Sequence, residues 1–258
     1  MPAPVNRFKQ ALKEGKTQIG CWASFGDAYA TEILATAGFD WLTIDGEHSP
    51  YDISSMSQQI HAIQNSQSEA IVRIPIGSDW IIKQVLDAGC QTILVPMVET
   101  AEQTDYLARA MRYPPDGFRG MGGAGARATG YSAIPDYVTT ANDQVCLLVQ
   151  VETVKGMENL DDILAVDGVD GVFIGPADLS ADMGHPGNAG HPDVEAAIQD
   201  ILKRTAAAGK APCILALNDD TAQTYLDWGA QVIAVGIDVV LFAKAARALR
   251  NRWTERLG

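Results

Sequence analysis

Two acidic residues close two of the most apolar runs in the chain. Glu152 ends VCLLVQVE and Asp178 ends VDGVFIGPAD. If those runs are neighbouring parallel strands, about 4.8 Å apart, two carboxylates at matching heights can grip one cation. Two carboxylates with open positions suit Mg²⁺ or Mn²⁺, hard ions that keep exchangeable waters, with Co²⁺ or Zn²⁺ as further candidates. The competing reading makes one acid a helix N-cap and the other a surface charge.

Further residues could complete such a site. His48 follows the run WLTID in Asp-Gly-Glu-His-Ser-Pro, the one histidine at the end of such a run. Asp45, three residues before it, is placed to orient the imidazole and raise its basicity, the usual partnership of a general acid–base. Asp87, closing the helical stretch after the third run, is a second candidate for that task. Arg73 interrupts AIVRIPI. A guanidinium inside a folded core is costly unless an anion meets it, either a substrate carboxylate or enolate, or Glu47 as a structural partner.

Other motifs carry less. His185 and His191 lie in GHPGNAGHP and His61 inside a helical stretch; none has an obvious second ligand, and all three are read as structural. The segment Gly120-Met-Gly-Gly-Ala-Gly125 satisfies GxGxxG, but it follows a turn-rich stretch rather than a strand, so a dinucleotide site is not expected. Its glycines instead suit a loop folded over the mouth of the site, with Arg119 or Arg127 facing that site or a neighbouring subunit. Cys21, Cys90, Cys146 and Cys213 form no CxxC pair and read as small buried hydrophobes.

These residues need a scaffold that brings strand ends together. Apolar, β-branched runs recur at 19–23, 41–44, 70–74, 92–96, 146–151, 171–174, 212–216 and 232–235. Between them lie helical spacings at 28–37, 53–65, 78–88, 101–111, 157–165, 194–208 and 219–228. Alternating strands and helices imply a parallel sheet with right-handed crossovers, and eight strands imply closure into a (β/α)₈ TIM barrel. AGFDWLTID, AGCQTILVP and WGAQVIAVG each set a glycine just before a strand, where it can form a left-handed helix cap. A first helix at 7–13 is expected to cover the barrel bottom and an amphipathic helix at 241–253 to end the chain. The stretch 113–141 has no periodicity, and long loops inside compact domains are usually functional. No Pro-, Gly- or Ser-rich linker divides the 258 residues, so residues 1–258 are read as one domain.

Composition bounds the class of function. Nineteen basic against 32 acidic residues give a formal net charge of −13, which disfavours nucleic acid and anionic membranes as partners. An anionic substrate then needs local positive charge, which a bound metal and an arginine can supply. The first residues are too polar for a signal peptide and no apolar run reaches the ~18 residues of a membrane span, so a cytoplasmic location is expected.

Over nearly its whole length the sequence resembles the class II pyruvate aldolases of the HpcH/HpaI family. AGFDWLTIDGEHSP, RYPPDGFRG, LLVQVET and GVDGVFIGPADLSADMG carry the resemblance in that order. It implies a metal-dependent barrel that reversibly cleaves 4-hydroxy-2-oxo acids to pyruvate, or in some relatives hydroxypyruvate, and an aldehyde. Carried over by position, Glu152 and Asp178 match the metal ligands, His48 the acid–base and Arg73 the residue that stabilises the enolate. Asp45 and Asp87 match the acids that tune the histidine, and Gln150 and Ala177 match positions touching the pyruvate unit. The resemblance also implies a homo-oligomer, commonly a hexamer, with the C-terminal helix exchanged between subunits. CWASFGDAYA and CILALNDD depart from the diacid-cleaving members in segments expected to receive the aldehyde.

Three rivals stand beside this reading. A Schiff-base aldolase needs a lysine on a strand, and no predicted strand contains one. An acyl-CoA lyase of the same superfamily needs a basic cluster for the nucleotide, and none is apparent. A non-catalytic binding barrel gives no reason to place Glu152, Asp178, His48 and Arg73 around one mouth.

Overall fold

The strand runs alternate between two environments, and that alternation builds the molecule. The computed structural model describes residues 1–257. Its eight strands are β1 (Gln18–Ala23), β2 (Trp41–Asp45), β3 (Glu69–Arg73), β4 (Thr92–Val95), β5 (Cys146–Val151), β6 (Val169–Ile174), β7 (Ala211–Leu215) and β8 (Val232–Ile237). Each pairs in parallel with its neighbours in chain order, and β8 pairs back onto β1, closing the barrel. Side chains on a strand point alternately to opposite faces. Thus Leu147, Val149 and Val151 of β5 join the apolar layer between strands and helices, while Cys146 and Leu148 point into the barrel.

Aromatic rings fill that interior. Phe8, Trp41, Trp22 and Phe173 follow one another edge to face, with centroids 6.3, 6.2 and 5.2 Å apart. Gly20 is required on β1 because any side chain there would overlap the Trp41 ring. The column rises from the plug at the barrel foot to the underside of the site at the mouth.

Helices α1 (Arg7–Lys13), α2 (Ala28–Ala35), α3 (Ile53–Gln64), α4 (Asp79–Asp87) and α5 (Ala101–Ala110) match the expected order. So do α10 (Pro192–Ala207) and α11 (Asp219–Asp227). Side chains of Asp27, Asp52, Thr100 and Asn218 accept backbone N–H groups at the starts of α2, α3, α5 and α11, satisfying donors that a helix leaves free. Asn6 caps α1 in the same way and also donates to Thr92 Oγ1 at 3.0 Å, which locks the plug under the barrel.

Four features differ from the expectations. The helix expected at 157–165 is two short ones, α7 (Val154–Glu158) and α8 (Leu160–Leu164), broken at Asn159. An unanticipated helix, α9 (Pro176–Asp182), starts right after β6, because Pro176 at its first position needs no N–H partner there. The terminal helix α12 (Asp238–Leu257) is longer than expected and almost wholly exposed, with only Asp238 buried.

The fourth concerns the long connection 113–141, which lies at the foot of the barrel and not over its mouth. It joins the C-terminal end of α5 to the start of β5, and those two points are at the foot. It contains α6 (Tyr137–Thr140) and is stitched to the first residues: Met1 pairs with Asp136 at 3.0 Å, and the Ala3 amide donates to Thr140 Oγ1 at 2.8 Å. Gly123–Gly125 of the GxGxxG stretch form a single 3₁₀ turn, with neither strand before nor long helix after. Among the described residues no helix is long and apolar enough to cross a membrane.

Candidate active site

The inward stripe of β5 continues past the apolar residues into Gln150 and Glu152, which are 3% and 2% exposed. A stripe that is apolar low in the barrel and polar at its top is what the mouth of such a barrel requires. Glu152 is held from two sides. Gln150 Nε2 donates to its Oε2, and the backbone N–H of Met97, just after β4, donates to its Oε1 at 2.9 Å. Met97 adopts a left-handed backbone with φ 54°, uncommon for a residue with a side chain, and this turns its amide inward.

Val151 is level with Ile174, so Glu152 faces Gly175. A methyl group at Gly175 would overlap Glu152 Oε2, so the glycine leaves the space that the carboxylate fills. Asp178 does not end β6, as expected from the sequence, but sits in the first turn of α9, close enough for its charge to act on Glu152. It is exposed, within the same cavity.

Arg73 ends β3 and is level with Asp45 at the end of β2. Its guanidinium donates to Asp45 Oδ1 from Nε at 2.9 Å and lies 2.8 Å from it through Nη2, while Nη1 lies 2.9 Å from Glu47 Oε2. It stands 5.3 Å from the centroid of Trp22, at the top of the aromatic column. Glu47 is the structural partner expected for Arg73 and Asp45 an unexpected one; together they hold the guanidinium where it borders the cavity at the barrel mouth.

Neither of the two acids expected to tune His48 lies against its imidazole within this chain. Asp45 does not touch the imidazole: besides Arg73 it accepts only the backbone N–H groups of Glu47 and His48, at 3.2 and 3.3 Å. A buried carboxylate this close to a guanidinium satisfies the stronger charge first. The acid beside the imidazole is Glu47, with Oε2 3.8 Å from His48 Nε2. Asp87 closes α4, which runs from the mouth to the foot, so within one chain it lies at the opposite end from His48. It pairs there with Arg119 at 2.6 Å, whose guanidinium sits over the Tyr113 ring. Arg127 is at the foot too, donating to Ala88 O. Neither arginine faces the mouth.

Asp45, His48, Arg73, Gln150, Ala177 and Asp178 line one cavity of 530 Å³, walled on the outer side by Leu215, Ile237, Val239 and Val240. Glu152 lies beneath it. Burial, helped by the nearby carboxylates of Asp178 and Glu47 and opposed by the hydrogen bonds from Met97 and Gln150, pushes the Glu152 carboxyl up to about 7. Burial also raises Glu47, against the pull of Arg73. Among the described residues, no lysine lines the cavity.

Sequence reasoning missed Glu47 as the neighbour of His48, although its place inside Asp-Gly-Glu-His was a signal. It also left Trp22 unremarked. The third thing missed lies elsewhere: His185 and His191, read as structural residues without a second ligand, stack with ring centroids 3.5 Å apart.

Residues 18–245 match the HpcH/HpaI aldolase/citrate lyase family. The chain belongs to that family. It is 60% identical over 98% of its length, and 98% of the relative's, to a hydroxypyruvate/pyruvate aldolase of Roseovarius nubinhibens. It is 53% identical over 96% of its length, and 94% of the relative's, to a 4-hydroxy-2-oxo-heptane-1,7-dioate aldolase of Klebsiella pneumoniae. Among solved structures, an HpcH/HpaI aldolase/citrate lyase family protein of Burkholderia cenocepacia superposes with a TM-score of 0.94 at 39% identity, covering 97% of this chain and all of the other. This HpcH/HpaI member thus shares fold and chain length with enzymes named as aldolases.

Proposed function

We propose that this family member is a divalent-metal-dependent aldolase that reversibly cleaves 4-hydroxy-2-oxo acids to pyruvate, or hydroxypyruvate, and an aldehyde. The observation that carries the reading is a buried carboxylate, Glu152, hydrogen-bonded by the neutral donors Met97 N–H and Gln150 Nε2 and set beside a second acid and a pinned guanidinium under one cavity. Burying an ionised carboxylate without a counter-charge is costly, and a cation at that point removes the cost. Gln150 Oε1, buried and without a hydrogen-bond partner, is a further unused oxygen there. The donor set fits a hard divalent ion such as Mg²⁺ or Mn²⁺, held by Glu152 and Asp178. When bound, the ion supplies Lewis acidity to the carboxylate and carbonyl oxygens of the oxo acid.

The chain's own residues do the rest. Arg73, fixed by Asp45 and Glu47, offers preorganised positive charge where the enolate oxygen develops as the C3–C4 bond breaks. His48, exposed at the rim, accepts the 4-hydroxyl proton directly or through a water, and Glu47 beside it favours the imidazolium that results. Protonation of the enolate carbon then gives pyruvate. Gln150 and the backbone at Ala177 border the small oxo-acid end, and the aldehyde end meets the aliphatic wall. The basic groups lining the cavity are Arg73 and His48, too few to recognise a CoA nucleotide.

The test is pyruvate release from a 4-hydroxy-2-oxo acid with and without EDTA. Release should stop on chelation and return with Mg²⁺ or Mn²⁺. Full turnover after Glu152→Ala and Asp178→Ala together would overturn the reading, and so would covalent trapping with pyruvate and borohydride. Exposed Leu241, Phe242, Leu249 and Trp253 on α12 support assembly of several copies through that helix. The expected Trp253→Glu phenotype is a smaller particle by light scattering.

A further inference from the structure

The short connection from α9 to α10 folds back on itself. The His185 amide donates to Ser180 O at 2.7 Å, the Asn188 amide to His185 O at 3.0 Å and the His191 amide to Asn188 O at 3.0 Å. Gly184 and Gly187 take the left-handed conformations that these turns require. Two histidines six residues apart are thereby brought face to face, with their rings 13° from parallel, and Asp193 in the first turn of α10 reaches the same point.

Donor atoms of His185, His191 and Asp193 lie within 4.8 Å of one another. Asp193 Oδ2 is 3.8 Å from His185 Nε2 and 3.7 Å from His191 Nδ1. Ligands bound tetrahedrally at about 2.1 Å are separated by roughly 3.4 Å, so the two contacts of Asp193 are a few tenths of an ångström too long, while the two histidine donors, within 4.8 Å of each other, must draw together on binding. From the spacing and the chemistry of the donors we propose that His185, His191 and Asp193 form a second metal site, outside the barrel mouth, for a borderline ion such as Zn²⁺.

Two imidazoles and one carboxylate suit that class of ion and leave a fourth position for water. Mg²⁺, which takes oxygen ligands, does not compete. Three local features oppose the site. Lone pairs lie in the ring planes, so the stacked rings must open towards a shared ion. Both side chains are about 30% exposed, which leaves them room to turn. The Asp193 amide donates to His191 Nδ1 at 3.3 Å, a long hydrogen bond for the ion to replace. The positive end of α10 adjoins the site, and the acids Asp193 and Glu195 in its first turn offset it. A bound ion would clasp the end of α9, the helix that carries Asp178, to the start of α10.

The test is a calorimetric titration of the chelator-stripped, full-length protein with Zn²⁺, in excess Mg²⁺ to occupy the carboxylates of the mouth. One Zn²⁺ should bind per chain and raise the melting temperature by linkage. His185→Ala and His191→Ala should each weaken binding at least about tenfold, the loss that even outer hydrogen-bond partners of a metal ligand cause. Both variants should release pyruvate at the wild-type rate in Mg²⁺. The double variant Glu152→Gln, Asp178→Asn should still bind Zn²⁺. Absence of Zn²⁺ binding, unchanged binding in the histidine variants, or its loss in the carboxylate double variant would each overturn the proposal.

Discussion

Gly175→Ala puts the metal reading under the sharpest strain. Gly175 has φ −97°, so alanine meets no backbone penalty there. The added methyl group overlaps Glu152 Oε2, comes to 2.9 Å from Gln150 Nε2 and to 3.0 Å from Glu152 Cβ. The Glu152 carboxylate is buried and tied to Met97 and Gln150, so it has no free rotamer into which to swing. It must retreat by roughly 1 Å, and a misplacement of that size costs on the order of 100-fold in rate. That corresponds to about 2.7 kcal/mol of barrier. Crowding a packed site also costs about 1–3 kcal/mol of stability. The assay is pyruvate release across a Mn²⁺ titration, with melting temperatures alongside. The expected result is a weaker apparent metal constant and the stated fall in kcat/KM, in a chain that still melts cooperatively. Gly125→Ala is the control, since nothing lies within 4 Å of its added methyl group. If Gly175→Ala keeps its metal constant and kcat/KM within about twofold, Glu152 does not hold the ion.

Three further outcomes follow from the same geometry. Arg73→Lys keeps the charge but loses the fork that spans Asp45 and Glu47, so kcat should fall by on the order of 100-fold with a smaller change in KM; steady-state kinetics decide it. Burial pushes the Cys21 and Cys90 thiols up to about 12 and raises Cys146 and Cys213 as well, so the native chain should be inert to Ellman's reagent at neutral pH and release four thiols when unfolded. Burial also raises Glu69 above its ordinary 4.5, against the pull of Arg7. The folded chain then keeps that proton to higher pH than the unfolded one, so stability is lost as pH rises past the ordinary value. Glu69→Gln should therefore gain on wild type in melting temperature as the pH rises past that ordinary value, and a difference that does not change with pH would refute the assignment.

The strand ends were legible because burial in a barrel imposes a pattern that survives in one dimension. Gln150 and Glu152 continue the inward stripe of Cys146 and Leu148, and Arg73 continues that of Ile71. What was not legible depends on competition between partners in space. Asp45 stands three residues from His48 but gives its carboxylate to Arg73, 28 positions away, because a guanidinium outbids an imidazole. Asp87 shares a sequence neighbourhood with Arg73, yet α4 carries it to the other end of the barrel. The foot-lying connection 113–141 follows from a rule that could have been applied: a segment after a helix and before a strand belongs to the foot. The meeting of His185 and His191 needed two tight turns that no periodicity announces.

The grip of Met97 on Glu152 is made entirely by main chain. No replacement of the methionine side chain can delete that donor, except proline, which lacks the N–H and cannot reach a positive φ. Position 97 therefore tolerates any side chain that accepts a left-handed backbone, β-branched ones being disfavoured there, and a comparison of side chains will pass over one of the atoms that aims the carboxylate. The orientation of the acid is inherited from the bend of the fourth strand's exit, and only a change in that bend can redirect it.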